Sequence, residues 1–455
     1  MLIQSINPAN GDVLNTWQTH DKEEVGKILD QTHKAFKEWK NISFSERSKY
    51  FISAAALLRS RKDQLAELMA LEMGKPIQGG LAEIEKCAHV CEYYANHAEG
   101  FLKDEIIETD AGKSYVNFQP LGVILAVMPW NFPFWQVFRF LAPTLMAGNT
   151  AVLKHASNVF GCAIEIENIF RDAGFPENTF RTLLISSDQV NVVIENPNIK
   201  AVSLTGSTAA GKKVAAKAAS LLKKAVLELG GSDPSLILED ADLELAAENC
   251  VNSRLVNSGQ SCISSKRFIV VKSIEKEFTE LFKQKMSAKI MGDPLDPKSD
   301  IGPQARADLR DELHRQVEKS IASGAECILG GIIPEAGHAY YPPTILTNVK
   351  KGMPAYDEEL FGPVAAIITA DNEEDAIRIA NDTIYGLGAT VYTQNLSKGE
   401  EIASKHLEAG SCFVNSFVRS DARLPFGGIK ESGYGRELGL YGIREFVNTK
   451  TVYIK

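Results

Sequence analysis

"SLTGSTAAGKKVA", Ser203–Ala215, sets Gly206, four residues, Gly211 and Lys212 in a row, the outline of a phosphate-cradling loop. A P-loop, however, requires Ser or Thr directly after its lysine, because that hydroxyl holds the magnesium that bridges the nucleotide phosphates. Lys213 stands there instead, which argues against a nucleoside triphosphatase. The apolar run ahead of Gly206 predicts a short strand, and the Ala/Lys-rich run after it a helix, so the first helical amides can still face an anion. This strand–turn–helix unit is one of a series. "LGVILAV", "NTAVLK", "RTLLI", "KAVSL" and "KAVLEL" are short apolar runs separated by helical stretches such as "WQVFRFLAPTLMA" and "GCAIEIENIFRDAG". That alternation predicts βαβ units and a parallel sheet.

The rhythm restarts after Gly231 with "SLILED", "RFIVV", "ECILGG", "VAAIIT", "ATVYT" and "SCFVNS", which predicts a second α/β unit. Upstream, Val25, Ile28, Leu29, Phe36 and Trp39 recur at helix spacing, and the helical pattern runs from Asp21 to about Phe101 with a break at Gly74. The polar segment 99–120 and the terminal "TKTVYIK" read as edge strands able to pair with another subunit. The expected organisation is residues 1–98 with 121–229 as a dinucleotide-binding domain, 230–435 as a catalytic domain, and 99–120 with 436–455 as an oligomerisation element.

A chain of 455 residues with 44% hydrophobic and 24% charged content has the composition of a globular protein with a large core. Its net charge of −9 argues against nucleic acid or an anionic membrane as a generic partner. No charged leader followed by a long apolar run opens the chain, and no stretch approaches a membrane span, so a cytoplasmic protein is expected. The seven cysteines (Cys87, Cys91, Cys162, Cys250, Cys262, Cys327, Cys412) are scattered and odd in number, which suits reduced thiols. Cys87, His89 and Cys91 in "CAHVC" sit in a helical pattern without a second ligand pair, so no metal is expected.

Three residues carry the candidate chemistry. Cys262 follows Gly259-Gln260-Ser261, small residues that let the backbone approach a substrate. Glu228 precedes a glycine pair at a strand end, where a carboxylate can act as general base. Asn131, in "MPWNFPFWQ", can donate its amide to an oxyanion. Singly, Cys262 reads as an inert buried thiol and Glu228 as a solvated or paired carboxylate; together they outline acyl chemistry.

"PWNFP", "LTGSTAAG", "LELGGSDP", "GQSCISSKR", "EELFGPV" and "LPFGGIKESGYGRELG" lie in the order and approximate spacing of the aldehyde dehydrogenase superfamily. The resemblance covers essentially the whole chain, and "MPWNFPFWQVFRF" and "RLPFGGIKESGYGRELG" resemble its succinate-semialdehyde dehydrogenase branch. It implies two Rossmann-like domains plus a small β oligomerisation element, NAD(P)-dependent oxidation of an aldehyde, and a homodimer or homotetramer. It also implies that the opening turn faces the pyrophosphate of NAD or NADP through Gly206, Ser207 and Gly211. No G-x-G-x-x-G occurs in the chain, in keeping with that family's variant of dinucleotide binding. Carried over by position, Cys262 is the nucleophile, Glu228 the base and Asn131 an oxyanion donor. Trp130, Lys154, Ser157, Thr205, Leu229, Glu359 and Phe361 are cofactor positions.

Arg139 matches a substrate arginine of that branch, where its guanidinium would hold a carboxylate; read from the residues alone, it either does so, snorkels, or pairs with a protein carboxylate. Ser420 is a second candidate for the substrate carboxylate. Some branch members carry another arginine where this chain has Val256, which shifts the expected burden to Arg139. Ser157 removes the negative charge that many NAD-preferring relatives place there, so NADP is expected. "LLISSDQ" lacks the glycine-rich turn common in relatives. Ile263 and Ser264 leave no second thiol beside Cys262 for a regulatory disulfide. Succinate semialdehyde is the expected substrate, with glutarate semialdehyde or other aliphatic aldehydes as the alternative. A cysteine-dependent hydrolase would leave "EELFGPV" and the dinucleotide turn without a role, and the joint presence of Cys262, Glu228 and Asn131 argues against a non-catalytic protein on the same fold.

Overall fold

The computed structural model describes residues 1–335 and 337–455. Its first sheet runs, in spatial order, Gly433–Tyr434, Lys224–Glu228, Ile199–Thr205, Val123–Met128, Thr150–His155, Phe180–Thr182. Every neighbouring pair is parallel except the edge strand Gly433–Tyr434. The chain leaves Val123–Met128 to one side and later returns on the other with Ile199–Thr205, so the strand order reverses between these two. Ligands of doubly wound sheets bind at such a reversal, off the carboxyl ends of the strands.

Both faces of this sheet are covered, as parallel sheets require. Along Val123–Met128, Ile124, Ala126 and Met128 enter one core with Trp135, Phe138 and Leu141, whereas Val123 and Leu125 enter another with Val202 and Leu204. The second sheet has the order Glu326–Leu329, Thr344–Thr347, Val364–Ala370, Arg267–Val271, Pro234–Ile237, Gly388–Tyr392, Ser411–Val414. It too is parallel apart from one edge, Glu326–Leu329.

Several features differ from the sequence expectation. Leu2–Ile6 and Val13–Gln18 form an antiparallel hairpin, and Thr344–Thr347 is a strand too short to announce itself. Gly433–Tyr434, which falls within the expected second unit, hydrogen-bonds to the first sheet. The segments expected to seek another subunit pair with each other: Val447–Ile454 runs antiparallel to Lys113–Pro120, and Glu105–Ile106 completes a three-stranded sheet. The segment Gly439–Ile443 is a short helix, and Leu438, Ile443 and Phe446 enter the core of the first unit.

The helical stretch resolves into Lys22–Trp39, Phe44–Ser60, Lys62–Met73 and Ile77–Phe101. Asp21 caps the first through a capping box with Glu24, and Gly74 ends the third at φ +75°. Their main service to the site is to fix the helix Trp135–Met146, all of whose residues are buried. At its start, the Glu83 carboxylate accepts from Phe134 N and Trp135 N, both at 2.9 Å, where the helix dipole favours negative charge. At its end, Trp39 Nε1 donates to Leu145 O at 2.9 Å, beside the Gly148 N–H, and Arg47 Nη1 donates to Met146 O at 2.6 Å, so side chains help satisfy the terminal carbonyls. Trp39 is fully buried against Phe175. Trp39→Ala therefore opens a cavity and removes one of the donors to Leu145 O, which keeps the Gly148 N–H. The expected loss is about 3–5 kcal/mol, read as a lower midpoint in urea unfolding.

Candidate active site

Cys262 lies in the loop that feeds strand Arg267–Val271. Asn257, Ser258 and Gly259 adopt positive φ of 53°, 56° and 77° in succession, a turn that reverses the chain just before the thiol. At Gly259 a Cβ would sit 2.3 Å from the Gly362 backbone, so only glycine fits. The fully buried Lys266 holds the loop from inside: Nζ donates to Cys262 O at 2.6 Å and Ser261 O at 2.8 Å, and lies 3.4 Å from Glu359 Oε1. Cys262 itself is half-buried. Burial pushes its thiol up to about 12, against the opposing pull of Lys266 and Arg139.

Asn131 is brought to the same loop. Its Nδ2 donates to Gln260 O at 3.0 Å, and its Oδ1 accepts from Gln136 Nε2 at 3.0 Å. Asn257 Nδ2 donates to Asn131 O at 2.6 Å, a second tie. An amide carries two N–H groups, so one remains for a ligand. Glu228 ends its strand almost wholly buried, and neither carboxyl oxygen has a hydrogen-bond partner. Burial, then the neighbouring Glu437, raises its proton affinity well above the carboxylate range, with Arg139 opposing. Glu228 is not among the residues lining the cavity beside Cys262; its Oε1 faces Gly427, where a Cβ would lie 2.7 Å away.

The dinucleotide positions gather at the strand reversal. Gly206 N donates to Glu228 O at 3.0 Å, and Ser207 caps helix Thr208–Ser220 by accepting from Ala210 N. Gly211 faces Leu229 so closely that a Cβ would lie 2.5 Å from its side chain. Glu359 reaches over the glycine pair after Leu229 and accepts from Gly231 N at 3.1 Å. Trp130 and Phe361 meet edge to face at 5.8 Å, joining the two units. Lys154 Nζ donates to Ser187 Oγ at 3.3 Å, linking two strand ends, and Ser157 starts a short 3-10 turn just beyond. Thr205 Oγ1 accepts from Arg139 Nη2 at 3.3 Å.

Arg139 and Ser420 line the cavity with Cys262, a space of about 130 Å³. Yet the Arg139 guanidinium already pairs with Glu437, both buried, and stacks 4.6 Å from the Phe426 ring centroid. Of the readings open to Arg139, pairing with a protein carboxylate is the one observed. Glu437, Lys266, Lys86 and Arg419 escaped the sequence reading. Glu437 sits inside a quoted motif but carries no local signal, because its partners Arg139 and Ser203 are distant in the chain. Lys86 and Arg419 line the same cavity. Among the described residues, no cluster of His, Cys, Asp and Glu suits a metal ion, and no helix is long and apolar enough to cross a membrane.

The aldehyde dehydrogenase family model matches residues 1–452, and the chain belongs to that family. It is 50% identical, over the full length of both chains, to a probable NADP(+) succinate-semialdehyde dehydrogenase of Synechocystis sp.. It is 44% identical to the succinate semialdehyde dehydrogenase [NAD(P)+] Sad of Escherichia coli, covering 99% of this chain and 97% of the other. Among solved structures, the succinic semialdehyde dehydrogenase of Streptococcus pyogenes in complex with NADP+ superposes with a TM-score of 0.97 at 39% identity, with 99% of each chain covered.

A thiol raised by burial is alkylated slowly near neutrality, since the thiolate is the reacting form. Iodoacetamide labelling of Cys262 in the free protein, followed by peptide mass spectrometry, should accelerate about tenfold per pH unit from about pH 7 to pH 10. A plateau near the ordinary thiol value is the contrary result.

Proposed function

We propose that this chain oxidises succinate semialdehyde to succinate with NADP, using Cys262 as nucleophile, Glu228 as base and Asn131 as oxyanion donor. The observation that carries the reading is the Cys262 cavity. It joins a thiol to the cationic side chains Arg139, Lys86 and Arg419 in about 130 Å³. Pockets for drug-sized ligands run to about 300–1,000 Å³, so the space suits a short aldehyde bearing negative charge.

The residues present fit a nicotinamide dinucleotide. Ser207 and Gly206 open a helix of 13 residues at the strand reversal, an anion site by dipole and free amides. Lys154 and Ser157 lie at the next strand end, where they would offer a ribose phosphate a cation and a hydroxyl. Glu359, Phe361, Trp130, Thr205 and Leu229 would serve the nicotinamide end, a reading supported by the Trp130–Phe361 ring contact and by the reach of Glu359 to Gly231 N. When bound, the dinucleotide supplies the hydride acceptor. The chain's own part is to hold and relay protons. Asn131 has one amide N–H free, and the Cys262 N–H donates to no group among the described residues, so both are available to the oxyanion formed when sulfur adds to the carbonyl. Glu228 has unpartnered oxygens and a raised proton affinity, which suits it to take a proton from the water that releases the acid from the thioester.

The first sheet with the helices of residues 22–101 is the proposed cofactor unit, and the second sheet the catalytic unit. The three-stranded sheet, whose strand Val447–Ile454 is largely exposed, is the proposed contact of a homodimer or homotetramer.

Cys262→Ala should abolish NADPH production from succinate semialdehyde while NADP still quenches protein fluorescence; ordinary turnover in the variant contradicts covalent catalysis. Glu228→Gln should give a burst of reduced cofactor with steady-state turnover lowered by about 10²–10⁴. Ser157→Glu should raise KM for NADP about tenfold or more and leave that for NAD within about twofold, measured by initial rates.

A further inference from the structure

The loop that bears the thiol is held from behind by two buried cations. Arg254, at the end of helix Leu243–Leu255, donates from Nη1 to Ser265 O at 3.0 Å and from Nη2 to Gly259 O. Lys266 donates from Nζ to Ser261 O at 2.8 Å and to Cys262 O at 2.6 Å. Neither side chain has any exposure. Four carbonyls of residues 259–265 thus accept from a guanidinium or an ammonium, and the turn itself adds a donor to one of them, Ser264 N to Ser261 O at 3.3 Å. Neutral donors satisfy a carbonyl without the cost of burying a charge, so hydrogen bonding alone does not account for cations in this place.

The peptide units that Lys266 engages are those of the nucleophile. Ser261 O and the Cys262 N–H belong to one peptide group, and in a trans peptide they point in opposite directions. An ammonium at the oxygen end therefore holds the N–H end away from itself and, because linked hydrogen bonds polarise one another, strengthens it as a donor. That N–H donates to no group among the described residues. The contact with Cys262 O brings the same ammonium within one residue of Sγ. Its counter-ion is looser than either carbonyl contact, with Glu359 Oε1 at 3.4 Å. Ser261 and Cys262 line the cavity, whereas Lys266 does not, so its charge reaches the cavity through the loop.

We infer that Lys266 is the internal counter-charge of the reaction, a positioning residue that stabilises, through the Ser261 and Cys262 peptide groups, the negative charge carried first by the Cys262 sulfur and then by the oxyanion. This rests on the proposed function, in which Cys262 is the nucleophile. When sulfur adds to the aldehyde carbon, its lone pair becomes the C–S bond and the carbonyl π pair becomes a lone pair on oxygen. One negative charge moves across two bonds and none is created, so a single fixed cation serves both ends of the step. Burial raises the proton affinity of the thiol; Lys266 is the foremost charge opposing that rise, followed by Arg139, while Glu359 and Asp233 add to it. Arg139 is already balanced by its pairing with Glu437.

Lys266→Met keeps an unbranched stem and removes the charge. In the free variant at about pH 8, iodoacetamide labelling of Cys262, read by peptide mass spectrometry, should slow about tenfold relative to wild type, because the thiolate has lost its cation. A purely structural role predicts the reverse, since a loosened loop exposes the thiol and relieves its burial, and labelling quickens. In turnover of succinate semialdehyde with NADP, kcat should fall about tenfold to hundredfold, with KM for the aldehyde within about threefold. Lys266→Gln, neutral but able to keep a hydrogen bond to a loop carbonyl, should match Lys266→Met on both readings, and it decides alone if the Met variant does not fold. Labelling as fast as in wild type or faster, a loss confined to KM, or a Gln variant equal to wild type overturns the inference. Retained turnover in Cys262→Ala overturns instead the covalent reading beneath it and leaves the labelling comparison intact.

Discussion

A single buried ammonium organises the centre of this protein. Lys266 has no exposure, yet it reaches the carbonyls of Ser261 and Cys262 and lies beside Glu359. Burial lowers its proton affinity, and Glu359 and Asp233 oppose that loss. Carbonyl dipoles and a carboxylate together make a charged lysine tolerable in the interior, whereas an unpaired buried charge would be prohibitive. The consequence is geometric. The loop bearing the thiol and the carboxylate expected at the cofactor ribose are fastened to the same atom, so neither can drift without the other.

A second buried pair, Arg139 with Glu437, shows how a motif match and a physical role diverge. Arg139 occupies the position expected of a substrate arginine and lines the cavity with Cys262. Its charge is nonetheless balanced by Glu437, which Ser203 also contacts, and its planar face rests on Phe426.

Strands with both faces buried were legible in the sequence because their apolar runs are bounded by turns, as in "GVILAV" and "RFIVV". Cys262, Glu228 and Asn131 were singled out because each stands in a distinctive local motif; the structure ties Asn131 to the Cys262 loop and leaves Glu228 outside the lining of its cavity. The N-terminal hairpin was not, since Leu2–Ile6 and Val13–Gln18 are mostly exposed and have little alternation to reveal. Gly433–Tyr434 was invisible for another reason. Two residues carry no periodicity, and their place is set by contact with Leu227, whose carbonyl lies 2.0 Å from where a Gly433 Cβ would be. Pairings across the chain, such as Lys86 with Ser420, leave no local trace in either partner.

The edge strand Gly433–Tyr434 has a consequence for biogenesis. It closes a sheet whose other strands end at Glu228, and the residues between include the whole second sheet. On the ribosome, the first sheet must therefore wait with the Lys224–Glu228 edge bare until nearly all of the polypeptide has emerged. Glu437, the counter-charge of Arg139 and neighbour of Glu228, arrives in the same late stretch. A nascent chain stalled before that point has made the Cys262 loop but not the surroundings of Glu228. The architecture thus completes these buried contacts only once the last residues are in place.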